Sequence, residues 1–272
     1  RVPVILLNYN SSSDCRKCIS YLKRQQGIEL EIIVVDNCSQ DDDCNEVKRL
    51  CQEQGCTFIQ ATENRGYNAG NNIGLRYASE KGYEYALIAN PDMEFPQEDY
   101  IKKLVAKMEQ DNTITVCESD IINPNGRHQN PQREATYNEE LFWFMEIFRN
   151  RKSKKWYFCD YTQSGYCEKV SGCCLLLRMD FVKSIAFFDE SVFLYSEESI
   201  LAKQVKLSNK RMYYMANLNA IHQHIESQKG PLSPRMRILF QSRNYYLRTY
   251  SGYRGLKLKF LLFSKHIQYM FC

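Results

Sequence analysis

The chain of 272 residues carries 36 basic and 32 acidic side chains, a net charge of +4. That length suits one sizeable α/β core, and that charge is too mild to mark a nucleic-acid binder. Twelve cysteines are many for the length, but Cys15 and Cys18 form the sole Cys-x-x-Cys pair. No second pair completes a zinc site, which argues for scattered reduced thiols. With no secretory leader at Arg1-Val2-Pro3, the expectation is a cytoplasmic protein.

Val2 to Leu7 is an apolar run that predicts a first strand, and Asp14 opens a helix that Gly27 stops after Gln26. Leu30 to Val35 is a second, β-branched run bounded by Asp36-Asn37, then a polar helix runs to about Gln54 with Gly55 behind it. Thr57 to Gln60 predicts a third strand, Glu63 to Asn68 a loop, and Ala69 to Lys81 a helix. Tyr85 to Ala89 is a fourth strand, and Asp99 to Gln110 a helix. Beyond it the pattern loosens. Asn123 to Gln132 is rich in turn residues, and Glu139 to Lys155 reads as an aromatic helix ending in a basic cluster. Val170 to Arg178 resumes a strand through Ser171-Gly172-Cys173-Cys174, Ser196 to Leu207 predicts a helix, and Arg211 to Met215 another strand. No apolar run reaches the ~18 residues of a spanning helix. The last segment repeats Leu256, Phe260, Phe263, Ile267 and Met270 at helical spacing among Lys257, Lys259 and Lys265. It reads either as a helix packed on its own domain or as one making peripheral contact with a membrane surface.

Strands alternating with helices of about a dozen residues imply an α/β protein with a mostly parallel sheet covered on both faces. Such sheets bind ligands beyond the carboxyl ends of their strands. Asn8, Asp36, Asn64 and Asp92 each fall just after one of four successive strands. The fourth strand runs out through Ala89-Asn90-Pro91-Asp92, placing a carboxylate where it suits a metal ion held against phosphates. Asp36 suits either a hydrogen bond to a nucleobase or ribose, or a turn cap. In Asn64-Arg65-Gly66-Tyr67-Asn68-Ala69-Gly70 the glycines permit close backbone approach, the helix start favours an anion, and Arg65 suits a phosphate.

Taken in order, Asn8-Tyr9-Asn10, Asp36-Asn37, the Asn64 to Asn72 segment, Asn90-Pro91-Asp92, Ser171-Gly172-Cys173, Phe188-Asp189-Glu190, Glu197-Glu198 and His222 resemble the family 2 glycosyltransferases. The likeness is greatest to their rhamnosyltransferase-like branch and runs from Val2 to about Tyr250. It implies a GT-A, Rossmann-like nucleotide-binding fold over residues 1–230, a C-terminal helical extension over 231–272, and an inverting single displacement. It further implies a UDP- or dTDP-sugar donor with rhamnose among the candidate sugars, a saccharide or lipid-linked acceptor in surface glycan synthesis, and Mg2+ or Mn2+ as cofactor. Donor contacts would come from Asn8, Asn10, Asp36, Asn64, Arg65, Gly70, Asn90 and Gly172. Metal contacts would come from Asp92 and His222, with His224 an alternative to the latter. Glu198 matches the acid that takes the acceptor's proton, one methylene longer than the family's Asp, and Asp189 is the next candidate for that catalytic base. Asn90 occupies the first position of the Asp-x-Asp pair common in this fold, as it does in the rhamnosyltransferase-like branch.

Two other readings share the architecture. A sugar-phosphate nucleotidyltransferase would carry a glycine-rich basic loop near the first strand, where this chain has Asn8-Tyr9-Asn10-Ser11. A non-catalytic nucleotide-sugar-binding protein would keep the donor residues without a working base, and the Glu198 departure lends that reading weight. Turnover on a panel of nucleotide sugars separates it from an enzyme.

Overall fold

Residues 1–145, 159–223 and 232–271 are described by the computed structural model. The first half alternates as β1 (Val2–Asn8), α1 (Ser12–Leu22), β2 (Leu30–Asp36), α2 (Asp41–Gln54), β3 (Thr57–Gln60), α3 (Tyr67–Glu80) and β4 (Tyr85–Ala89). Then come β5 (Met93–Glu94), α4 (Tyr100–Glu109), β6 (Ile114–Ile122), α5 (Tyr137–Leu141), β7 (Gly165–Cys167) and β8 (Cys174–Arg178). The chain closes with α6 (Met179–Ser184), α7 (Glu197–Leu207), β9 (Arg211–His222), α8 (Leu232–Thr249) and α9 (Gly255–Met270).

β1 is buried along its whole length, and alternate side chains feed two cores. Val2, Val4 and Leu6 join Ile32 and Val34 under α1, α2 and α4. Ile5 and Leu7 join Ile33 and Val35 under α3, α6 and α7. Each such aliphatic side chain contributes about 1.5–3 kcal/mol on burial, so the two-sided sheet is the main source of stability.

The strands lie in the order β3-β2-β1-β4-β8-β6-β9-β5, with β7 also on β9. The first four are parallel; β8 opposes both β4 and β6, and β6 runs parallel to β9. Six of the described strands (β1 to β4, β6 and β9) therefore point one way, as the sequence predicts. The order reverses at β1, between β2 and β4, which is the crevice where open α/β sheets hold ligands. Gly70 and Gly74 let α3 lie directly on β1, since a Cβ at either would stand 2.5 Å from a methyl of Leu7 or Ile5.

Several boundaries differ from expectation. α1 ends at Leu22 rather than Gln26, because the Gln26 N–H turns away to the Glu98 carbonyl at 2.6 Å. Asp14 stands inside its first turn, behind the N-cap Ser11. Ser171-Gly172-Cys173 is a loop, and β8 begins only at Cys174. The helix expected over 139–155 is in its described part the short α5, opened by a Thr136–Glu139 capping box; residues 146–158 lie outside the described residues. β6, with nine residues, occupies a central place that the sequence pattern did not announce. α8 and α9 close a third core, with Tyr246, Leu247 and Leu261 against Val192 and Ile200.

The described cysteines are all free, and most are buried. Burial pushes the Cys15 and Cys18 thiols far above the ordinary thiol range, which leaves this pair inert. No described helix is long and apolar enough to cross a membrane.

Candidate active site

Beyond the carboxyl ends of β1 and β4 lies a cleft of about 430 Å³, lined by residues that include Tyr9, Asp14, Asn37, Asn64, Asn90 and Asp92. Its lower corner is set by an antiparallel pairing. Met93 of β5 stands opposite His222 of β9, and the Gln223 N–H donates to the Asp92 carbonyl at 2.9 Å. Asp92 Oδ1 and His222 Nε2 consequently meet at 3.3 Å, although 130 residues separate them in sequence (222 − 92). His222 Nδ1 contacts Gln129 Oε1 at 3.2 Å, which fixes the ring's other edge. His224 lies outside the described residues.

Carboxylate oxygen with imidazole nitrogen is a donor set that suits Mn2+ better than Mg2+. Among the described residues no group of three or more His, Cys, Asp or Glu gathers at metal-binding distance. Two protein donors fit a cation that completes its coordination with ligand phosphates and water.

A second group sits against the first. The Tyr67 hydroxyl lies 3.0 Å from Asn90 Oδ1 and 2.7 Å from the Gly172 carbonyl. The Gly172 N–H in turn donates to Glu198 Oε1 at 3.3 Å. Glu197 and Glu198 open α7, immediately after Tyr195 (φ 73°) and Ser196 (φ 67°), two successive residues in the left-handed region. Such conformations are strained for side-chain-bearing residues and concentrate where a side chain must be aimed. Burial, then the neighbouring Glu198 carboxylate, pushes the Glu197 carboxyl up to about 8. The shift favours the protonated form of Glu197. Beneath the Ser171–Cys173 loop, burial drives the Glu118 carboxyl well above the carboxylate range.

The other residues singled out in the sequence are placed differently. Asn8 and Asp36 are adjacent in the β1–β2 register and fully buried. Asn8 Nδ2 donates to Asp36 Oδ1 at 2.9 Å and to Asp43 Oδ2 at 2.8 Å, and Asp36 Oδ2 accepts from the Ser39 N–H at 3.2 Å. Their polar atoms are spent on each other, and the neighbouring Tyr9 and Asn37 line the cleft instead. Asn10 accepts from the Gln40 N–H at 2.8 Å, bracing the start of α2. Asn64 Oδ1 accepts from Asn37 Nδ2 at 3.1 Å and from the Gly66 N–H at 3.0 Å.

Arg65 is engaged by Glu190 at 3.2 Å and Glu63 at 3.7 Å. A Cβ on Gly70 would meet Leu7 and Asn37 Oδ1. Asp189 accepts from the Tyr245 and Tyr250 hydroxyls at 2.7 and 2.6 Å, fastening α8 to the core. Burial alone would raise its carboxyl, but bonds from Tyr250, the Ser191 backbone and Tyr245 outweigh it and hold Asp189 below the usual range. That engagement leaves it poorly placed to act as a base.

A family profile described as Glycosyl transferase family 2 matches residues 4–175. The chain belongs to this family. The hexosyltransferase Agl10 of low-salt glycan biosynthesis in Haloferax volcanii is 26% identical over 244 residues, covering 88% of this chain and 73% of that protein. Two solved structures share the fold. The mannosyltransferase PcManGT of Pyrobaculum calidifontis, in complex with GDP-Man and Mn2+, superposes with a TM-score of 0.63 at 18% identity, over 100% of this chain and 71% of its own. S. aureus TarS 1–349 with UDP-GlcNAc gives 0.60 at 17% identity, over 98% and 73%.

Within this family 2 glycosyltransferase, sequence reasoning missed Tyr67, Asn37, Glu118 and the distinct state of Glu197. Tyr67 carried a signal, because it stands within the Asn64 to Asn72 segment on which the resemblance draws. Glu118 carried none, being a polar residue that broke up the only clue to its strand. A larger hollow of about 640 Å³, whose walls include α7, β7 and α8, holds none of the predicted site residues. Glu134, Glu140 and Arg243 in its lining belong to an ion network that Lys169 joins through Glu134.

Proposed function

We propose that this chain is an inverting glycosyltransferase that moves a hexose from a nucleoside-diphosphate sugar to a hydroxyl of a saccharide or lipid-linked acceptor. The observation that carries this reading is the chain of contacts from Asp92–His222 through Asn90, Tyr67 and Gly172 to Glu198. In this reading a corner that would bind a cation lies beside the Glu198 carboxylate, and the Tyr67 hydroxyl links the loops that carry them.

In this reading the nucleotide lies in the cleft along Asn37 and Asn64, with the exposed Tyr9 ring available to stack on its base. Asp92 and His222 would hold a divalent cation, Mn2+ for preference, which when bound offsets the charge gathering on the departing diphosphate. Glu198 takes the acceptor hydroxyl's proton as that oxygen attacks the anomeric carbon. The bond from that carbon to the diphosphate oxygen breaks, and the nucleoside diphosphate leaves with the electron pair. Glu197, whose raised carboxyl favours the protonated form, would limit the negative charge gathered beside Glu198.

Supporting the reading are the hexosyltransferase named among the relatives and a neighbour solved with GDP-Man and Mn2+. The deciding experiment is turnover against a panel of GDP-, UDP- and dTDP-sugars with Mn2+ or Mg2+ and simple glycoside acceptors, with the anomeric configuration of the product read by NMR. Transfer with retained configuration would sink the single displacement. Metal-dependent nucleotide binding with no turnover on any donor would favour a binding protein.

A further inference from the structure

Helix α9 keeps an apolar stripe turned to solvent. Leu256, Phe260, Phe263 and Met270, with Phe271 just beyond the helix, are between 57% and 78% exposed. The side that packs on the protein is a different one, carrying Leu258, Leu261 and Leu262 into the third core and Ser264 onto the Leu141 carbonyl at 2.7 Å. Of the two sequence readings, packing on the domain is satisfied by these residues and not by the periodic stripe. The turn after α5, fastened to α9 by that Ser264 bond, adds Phe142, Phe144 and Met145 to the exposed apolar side chains. Few soluble surfaces gather so many large apolar groups without a partner.

The charges around the stripe identify its occupant. At roughly 100° per residue, Lys257 and Lys259 project on opposite sides of the Leu256–Phe260–Phe263 line, and both are exposed. Lys265, on the packed side, pairs with Glu140 at 2.6 Å. From Gly255 to Met270 the helix contains no acidic residue. A second copy of α9 laid on the first would supply these flanking lysines with no carboxylate, only with like charge. An anionic bilayer supplies both requirements: acyl chains for the stripe and negative headgroups for lysines that snorkel at its edges.

We propose that α9 seats the protein on an anionic lipid surface, with the Leu256–Phe260–Phe263–Met270 face inserted and Lys257 and Lys259 at headgroup level. The helix lies on the bilayer and does not cross it. This reading rests on the stripe and not on the catalytic assignment.

The test is flotation of the full chain with phosphatidylcholine vesicles, with and without phosphatidylglycerol. Binding to the anionic vesicles should exceed binding to neutral ones at least tenfold and fall with added salt. The double variant Phe260→Ser/Phe263→Ser, whose sites are solvent-exposed, should retain the wild-type circular dichroism and lose at least tenfold in vesicle affinity. Lys257→Gln/Lys259→Gln should lose about thirtyfold on anionic vesicles while binding neutral ones unchanged. Equal vesicle binding by wild type and the Phe260→Ser/Phe263→Ser variant would overturn the proposal. So would a wild-type dimer, seen by sedimentation, that the same variant dissolves without any vesicle binding by wild type.

Discussion

The Tyr67 hydroxyl donates to the Gly172 carbonyl at 2.7 Å while lying 3.0 Å from Asn90 Oδ1. With one proton it satisfies one acceptor at a time, yet it joins the Asn90–Asp92 loop to the Ser171–Cys173 loop whose Gly172 N–H meets Glu198. Tyr67→Phe should leave a sheltered carbonyl without its donor, costing about 1–2 kcal/mol of stability in denaturant melts. Transfer should slow about tenfold with little change in donor affinity, since the loss falls on alignment rather than binding. A variant slowed only through weaker donor binding would take Tyr67 out of this positioning role.

Glu198→Gln should preserve nucleotide binding and reduce transfer by at least about 10²-fold, the usual range of general-base catalysis. Glu198→Asp draws the carboxylate back by one methylene and should retain measurable transfer. A near wild-type rate in Glu198→Gln would move the base elsewhere.

Of the two partners in the 3.3 Å Asp92–His222 contact, losing Asp92 should abolish metal-dependent binding of a nucleoside diphosphate, and losing His222 should weaken it. Calorimetry with UDP or GDP and Mn2+, on Asp92→Ala and His222→Ala separately, measures it. His222→Ala should shift the residual preference from Mn2+ toward Mg2+, because the imidazole is the softer donor. An unchanged Mn2+ preference would remove His222 from the cation site.

Asp36→Ala should be felt as instability. Its carboxylate satisfies Asn8 Nδ2 and the Ser39 N–H inside the protein, and stranding buried donors costs about 1–3 kcal/mol each. Urea unfolding should show a lower midpoint, with nucleoside affinity of the folded fraction close to wild type. Weakened nucleoside binding in a fully stable variant would restore Asp36 to the ligand.

Glu197 sets a pH dependence on stability. Its carboxyl is raised to about 8 in the folded protein against an unfolded value near 4.3. Between those values the folded state holds the extra proton, so its contribution declines as pH rises through the window and levels off above about 8. The slope is at most about 1.4 kcal/mol per pH unit. Urea melts at several pH values should show Glu197→Gln gaining on wild type toward alkaline pH. A constant difference between the two proteins across the window would mean that Glu197 is already ionised.

The parallel half of the fold was legible because its strands are apolar runs punctuated by Gly27, Gly55 and polar strand ends. β6 was not, since Glu118, Ser119 and Asp120 interrupt its pattern while lying buried inside the sheet. At the site, sequence order located the Asp92, His222 and Glu198 segments, but it could not say that the first two touch. That follows from a two-residue strand, Met93–Glu94, pairing with the end of β9. Nor could it show which polar residues at strand ends are spent internally. Asn8 and Asp36 sit side by side in register and bond each other, whereas Tyr9 and Asn37, one position on, line the cleft.

Gly66 has φ 101°, and a Cβ there would fall 2.2 Å from the Phe193 carbonyl oxygen, to which the Tyr67 N–H donates at 2.9 Å. No slack exists between these two stretches of backbone. Any side chain at position 66 would therefore part the Asn64 loop from the segment that leads into α7 and Glu198.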